Sequence, residues 1–264
     1  MSETQRKNAI AGSIQIFRAH EHHLELPPQP DQAHRADLGT IIDYRLQETT
    51  GDSMRAIATL PGHFRDTPQW ASPWHYHECE LQVALIIDGS LDIDYGRDGW
   101  SRANRGDLLF IPGLAPHNVG GSSADYQVAE ITFPGTFSTV ETEAPQETSS
   151  VQGQTLAVRD AFLETLNSGV SVYRYKLGDD YTGKYAIRRI IRRRSEPFKP
   201  AWCTKSETTK LTFVMRGSKE FQTADDKKER IGPMDILLSP PGVSLLDTKI
   251  SPDYEAIEIT VDGF

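Results

Sequence analysis

Trp74-His75-Tyr76-His77-Glu78-Cys79-Glu80-Leu81-Gln82 runs into the apolar stretch Val83–Ile87 and stops at Asp88-Gly89-Ser90. Alternate side chains of a strand point to opposite faces, so His75 and His77 aim together. A second strand starts near Gln82, and its alternation puts Gln82, Ala84 and Ile86 on one side. A third histidine ends the run Gly106-Asp107-Leu108-Leu109-Phe110-Ile111-Pro112-Gly113-Leu114-Ala115-Pro116-His117, a strand closed by a Pro/Gly turn. Three imidazoles and one amide oxygen can surround a divalent ion and leave positions open for a substrate. Glu80 shares the parity of Gln82 and is the alternative ligand. Cys79 has the opposite parity and reads as a small buried hydrophobe rather than a nucleophile.

The same chain pattern occurs twice. Ala84-Leu-Ile-Ile-Asp-Gly89-Ser matches Thr212-Phe-Val-Met-Arg-Gly217-Ser, an offset of 128. Asp107 to Pro112 matches Asp235 to Pro240 in that register, and Tyr126-Gln-Val-Ala-Glu130-Ile-Thr matches Tyr254-Glu-Ala-Ile-Glu258-Ile-Thr. Three separated blocks in one register predict a duplicated domain. Short apolar or alternating runs (Leu81–Ile87, Leu91–Tyr95, Asp107–Ile111, Tyr126–Phe133) bounded by Gly, Pro, Asp and Ser make each copy β-rich. A helical period is visible only over Leu156–Leu166, which predicts a short helix between the copies. Ser138–Thr155 has the composition of a solvated linker, and Pro27-Pro28-Gln29-Pro30 forces an extended stretch in an N-terminal arm. The divisions expected are an arm at 1–37, a domain at 38–140, a linker with a short helix at 141–168 and a second domain at 169–264.

The 264 residues carry 38% hydrophobic and 25% charged side chains, a soluble globular composition. No apolar run reaches the roughly 20 residues that span a bilayer, and the first residues do not read as a secretory signal. Two cysteines, Cys79 and Cys203, are too few for a disulfide framework and fit a cytoplasmic protein. The net charge of −9 is unevenly placed: residues 1–150 hold 10 Lys+Arg against 21 Asp+Glu, and residues 151–264 hold 18 against 16. All 8 histidines fall in the first half, so metal or acid–base chemistry is expected there. His20, His22, His23, His34 and His63 lack partner logic and are expected on the surface.

The paired segments resemble the cupin superfamily. Its first motif is Gly-x5-His-x-His-x(3,4)-Glu-x6-Gly and its second is Gly-x5-Pro-x-Gly-x2-His. His75, His77, the six-residue gap from Gln82 to Gly89, and Gly106-x5-Pro112-x4-His117 fit this pattern. Gln82 stands where the family usually has Glu, the second-motif glycine comes one place early at Gly113, and the nearest glycine before His75 is Gly62. The resemblance implies an all-β chain of two tandem double-stranded β-helix (jelly-roll) barrels, a bicupin. It also implies one divalent transition metal per chain (Fe, Mn, Ni or Zn) held by His75, His77, Gln82 and His117. Replacing the family's Glu by Gln leaves the ion its full formal charge, which suits an anionic or enolate substrate. Tyr76, Trp74, Phe110 and Asp107 are candidate pocket or supporting residues, with packing and turn roles as their alternatives.

The second copy lacks this equipment. At the same offset His75 maps to Cys203, His77 to Lys205, Gln82 to Lys210 and His117 to Leu245, so it is expected to be a metal-free scaffold or dimerisation module. Arg188-Arg-Ile-Ile-Arg-Arg-Arg194 reads as a solvated strand face or as interdomain ion pairs, with an inward subset holding a carboxylate as the alternative. The acidic whole, without aromatic residues interleaved in this run, argues against nucleic acid. Cupins host several activities, so fold alone does not fix function. The expected reading is a metal-dependent enzyme, a homodimer, acting on a small enolisable organic acid, with a dioxygenase first. A ketonising isomerase of a sugar acid and a non-catalytic binding protein are the alternatives, and no catalytic residue beyond the ligands is assigned.

Overall fold

The computed structural model describes residues 14–25, 40–44, 46, 54–134, 137–145, 151–165, 170–179, 181–192, 198–203 and 207–262. In chain order the strands are β1 (Gln15–Phe17), β2 (His23–Glu25), β3 (Thr40–Tyr44), β4 (Arg55–Thr59), β5 (His75–His77) and β6 (Leu81–Asp88). Then follow β7 (Ser90–Asp94), β8 (Ser101–Asn104), β9 (Leu108–Pro112), β10 (Asn118–Ser122), β11 (Gln127–Phe133), β12 (Thr139–Glu141) and β13 (Gln154–Leu156). The remainder are β14 (Phe162–Thr165), β15 (Val170–Arg174), β16 (Tyr185–Arg192), β17 (Ala201–Cys203), β18 (Thr209–Arg216) and β19 (Lys219–Gln222). The last four are β20 (Lys228–Ile231), β21 (Ile236–Ser239), β22 (Leu245–Ile250) and β23 (Glu255–Val261). No helix among the described residues is long and apolar enough to cross a membrane.

Two compact units result, one of residues 22–159 and one of 1–21 with 160–264. In the first, a seven-stranded antiparallel sheet has the order β13-β9-β6-β11-β4-β3-β2, and β10-β7-β8 form a second sheet. Ala84, Ile86, Leu109, Ile111 and Val128 from the large sheet meet Leu91, Ile93 and Ala103 from the small one in a single buried core. In the second unit the large sheet runs β1-β21-β18-β23-β16-β15-β14, faced by β17-β22-β19-β20. Val214, Leu237 and Ala256 pack there against Phe221, Ile231, Leu245 and Ile250. The strand orders correspond position by position, as the repeated sequence blocks require. Both copies keep glycine after β6 and β18 for one reason: Gly89 and Gly217 have φ of 64° and 69°. A Cβ would lie 2.6 Å from the Tyr126 backbone nitrogen in one and 2.8 Å from the Tyr254 Cα in the other.

Each unit is finished by a short strand from the other half of the sequence. β13 lies against β9, with Leu156 opposite Leu108, and β1 lies against β21, with Phe17 opposite Ile236. The helix expected over Leu156–Leu166 does not form. Only a three-residue 3-10 turn, Val158–Asp160, separates β13 from β14, and a matching turn, Ala19–Glu21, follows β1. The apolar period was misleading because Leu156 belongs to a strand pairing while Phe162 and Leu163 remain 69% and 51% exposed, so no common face is buried.

Asp107 and Asp235 anchor these segments. Asp107 accepts from the Asn104 amide at 2.9 Å and the Val158 amide at 3.0 Å. Asp235 accepts from the Gly232 amide at 2.9 Å and the Ala19 amide at 3.0 Å. The repeated Asp is therefore a turn and strand anchor, the turn role that stood as the alternative for Asp107. Pro27–Pro30, His34, Leu166, Arg193, Arg194, Lys205 and the Cys203 side chain lie outside the described residues.

Asp235→Ala should strip two half-buried amides of their acceptor, at a cost of about 1 kcal/mol. Hydrogen exchange should quicken at Gln15–Ala19; unchanged protection there would show that the carboxylate does not hold β1.

Candidate metal centre

β5 is short, and its place is set by pairing on both sides. His77 lies opposite Thr139 and His75 opposite Glu141 in β12. On the other side His75 and His117 form an antiparallel bridge, the His75 amide donating to the His117 carbonyl at 3.0 Å and the reverse bond measuring 2.9 Å. The turn before His117 is pinned as well: the Gly113 amide donates to the Glu80 carbonyl and the Leu114 amide to that of His77. A Cβ at Gly113 would sit 1.8 Å from the Cys79 carbonyl oxygen, which explains the glycine there. Leu114 takes a φ of 64°, an uncommon conformation for a branched residue.

This backbone gathers the three imidazoles. Ring centroids are 4.3 Å apart for His75 and His117, and 5.2 Å for His77 with each of the others. One ligand nitrogen from each lies within 4.8 Å of the other two, close to the span of two metal–nitrogen bonds of about 2.1 Å. The rings are also oriented. Nδ1 of His75 donates to the Pro73 carbonyl at 2.9 Å and Nδ1 of His117 to that of Ala115 at 3.0 Å. Thr139 Oγ1 is placed to accept from Nδ1 of His77 at 3.0 Å, and the Phe137 ring stands edge-on to that imidazole. With Nδ1 engaged, each Nε2 keeps its lone pair for a ligand role. Burial, then the charge of His75, hold His77 down at about 4 and His117 at about 3, so both are neutral at ordinary pH. The donor set fits a divalent transition ion.

Gln82 faces the same interior. It lies opposite Ile111 on β9 and Thr132 on β11, on the β6 face that carries Ala84 and Ile86. His117 stands between Ala115 and Val119, which pack into that same core. Gln82 is 5% exposed, and its Oε1 accepts no hydrogen bond. Its Nε2 donates to Glu130 Oε2 at 3.4 Å. Glu130 lies opposite Ala84, half-buried on the interior side of β11, and is the polar residue that sequence reasoning missed. Its signal was present: Glu130 and Glu258 occupy matching places inside otherwise apolar strands.

Other expected residues fall elsewhere. Glu80 is exposed and stands apart from the three-histidine group. Phe110 is buried on the opposite face of the sheet, across from Val83 and Gln154. Tyr76 alternates away from the histidines toward Val140, and Trp74 is half-buried with its carbonyl bound by Thr142. Burial pushes the half-buried Cys79 thiol up to about 11, consistent with an inert side chain. His63, expected at the surface, is 2% exposed and packs edge-on against Phe64.

In the second unit, ions of the protein itself fill the corresponding interior. Lys210 lies 3.7 Å from Glu258, and Arg188 Nε donates to Glu258 at 2.6 Å. Lys219 pairs with Asp247 at 2.8 Å. Burial pushes the Glu258 carboxyl up, but Lys210, then Arg188 and Lys219, outweigh it and hold it at about 2. The described arginines of the run pair within the second unit: Arg189 and Arg192 are 5% and 7% exposed, half-buried Arg188 bonds Glu258, and Arg189 bonds Glu255 at 2.9 Å.

Residues 62–129 match the family model described as Cupin domain. No curated protein matches the chain in sequence. Among solved structures, Bacillus subtilis oxalate decarboxylase at pH 4.6 superposes with a TM-score of 0.66 at 14% identity, over 95% of this chain and 76% of that one. Another B. subtilis oxalate decarboxylase structure, from a study of its Mn(II) centres, gives 0.65 at 14% identity over 96% and 78%. The formate complex of Lactobacillus farciminis oxalate decarboxylase gives 0.67 at 11% identity over 94% and 86%. At these identities the likeness establishes a shared cupin-like jelly-roll fold.

Unfolding restores His77 and His117 to their ordinary value near 6.5, so the unfolded chain takes up protons first as pH falls. The metal-free protein should therefore lose stability progressively from about pH 7 toward pH 4. Melting curves of His117→Gln should show a flatter dependence; a slope equal to wild type would contradict the buried neutral imidazole. Glu258→Leu should cost about 3 kcal/mol by leaving buried cations without a counter-charge, measurable by denaturant unfolding.

Proposed function

We propose that the chain is a bicupin, with a metal-binding domain at 38–140 and a ligand-free second domain at 169–264. One divalent transition ion per chain would be held by His75, His77, His117 and Gln82. The reaction proposed is on a small enolisable organic acid. The observation that carries this reading is the convergence of three imidazoles, each with its Nδ1 engaged, on one point, two of them buried. An ion bound by neutral donors keeps its positive charge and supplies Lewis acidity to a carboxylate or an enolate.

The chain's own groups favour proton transfer. Glu130 offers a half-buried carboxylate on the interior face beside Gln82, able to accept a proton from an α-carbon and return it to a neighbouring atom. Dioxygenation, the first expectation from the neutral donor set, has no need of that carboxylate. Ketonisation, or protonation of the enolate left by decarboxylation, needs one. The similar folds include oxalate decarboxylases, and this supports a small carboxylic acid as substrate; enolisability rests on Glu130, since oxalate has no α-hydrogen.

Purified protein should contain about one transition metal per chain, and His117→Ala should abolish that content while the fold, followed by circular dichroism, persists. With an enolisable acid under argon, deuterium from solvent should enter the substrate. Stoichiometric oxygen uptake without exchange would replace this reading with oxygenation, and a metal-free, fully folded wild type would end both.

A further inference from the structure

Gln82 is an ambiguous ligand by chemistry: one end of its amide can bind a cation and the other repels it. Which end faces the histidines depends on what the amide is bonded to. Nε2 donates to Glu130 Oε2 at 3.4 Å, and Oε1 is buried without a donor. A carboxylate accepts only, so Glu130 can bind the amide by its nitrogen alone. We infer that Glu130 is a positioning residue, which locks the Gln82 amide so that Oε1 is the atom presented to a metal ion. The role rests on the proposed metal site. The second unit carries the contrast: at the matching positions Lys210 and Glu258 face each other as an ion pair, and a cation there needs no orienting. The carboxylate is kept in both copies while its partner changes, so its function follows the residue opposite.

The test uses Co(II), whose visible spectrum reports donor set and coordination number, with affinity measured by calorimetry on the full metal-free chain. Glu130→Gln keeps the volume but can donate as well as accept, so the Gln82 amide loses its fixed sense. Affinity should fall about 10-fold and the Co(II) bands should shift as the amide oxygen is lost. Glu130→Asp keeps the charge but withdraws the carboxylate by one methylene, and should show the same loss. In a Gln82→Ala background, neither Glu130 substitution should lower affinity further. Wild-type affinity in Glu130→Asp would overturn the assignment in favour of simple charge attraction, as would equal losses in both backgrounds. A wild type that binds no Co(II), with His117→Ala indistinguishable from it, would instead refute the metal site itself. Melting curves of each metal-free variant separate loss of orientation from loss of fold.

Discussion

The bridge between His75 and His117 is the constraint on which the candidate centre depends. Two reciprocal backbone bonds hold these residues opposite each other, and antiparallel pairing puts opposite side chains on the same face. His77 follows from His75 by the two-residue period of the strand. Three imidazoles thus converge without any having to reach, and the carbonyls of Pro73 and Ala115 set the tautomers of two of them. The cost of crowding is borne by the turn at Gly113 and Leu114, where one residue can carry no Cβ and the next sits at positive φ.

The two units solve one electrostatic problem in different ways. Both sandwiches leave a polar patch at the same place on the interior face of the large sheet, where an unpaired charge would be costly. In the first unit the residues there are three imidazoles, an amide and the half-buried Glu130. In the second, Lys210, Arg188 and Lys219 surround Glu258, and Asp247 takes up Lys219. Such a network breaks about even against apolar packing, but losing one member is expensive. The second unit, with a lysine at the place of Gln82, therefore pairs its carboxylate with cations of its own.

Much of this was legible in the residues. The offset of 128 gave the correspondence of strands, and alternation with family spacing gave the histidine cluster. What escaped had a physical reason in each case. Strands of three residues, such as β1 and β13, carry no period of their own; pairing with a preformed edge makes them strands. Every residue of β9 is buried, so its sequence holds no parity, and Phe110 could be given no face from sequence. Asp107 looked like a site residue because it sits beside the motif, whereas its carboxylate is occupied by two backbone amides.

Glu130 shows the limit most clearly. A motif search looks for ligands, and a residue that acts through a ligand has no spacing rule of its own. Its side chain becomes meaningful only through the register that sets β11 beside β6, with Glu130 across from Ala84 and Thr132 across from Gln82. The same register explains why a carboxylate can stand close to a site built from neutral donors. Bonded to the amide nitrogen, it leaves the imidazoles and the amide oxygen as the available donors. On the proposed reading its carboxylate acts through the amide and stays outside the donor set, so an ion held there would keep its full formal charge toward an anionic substrate.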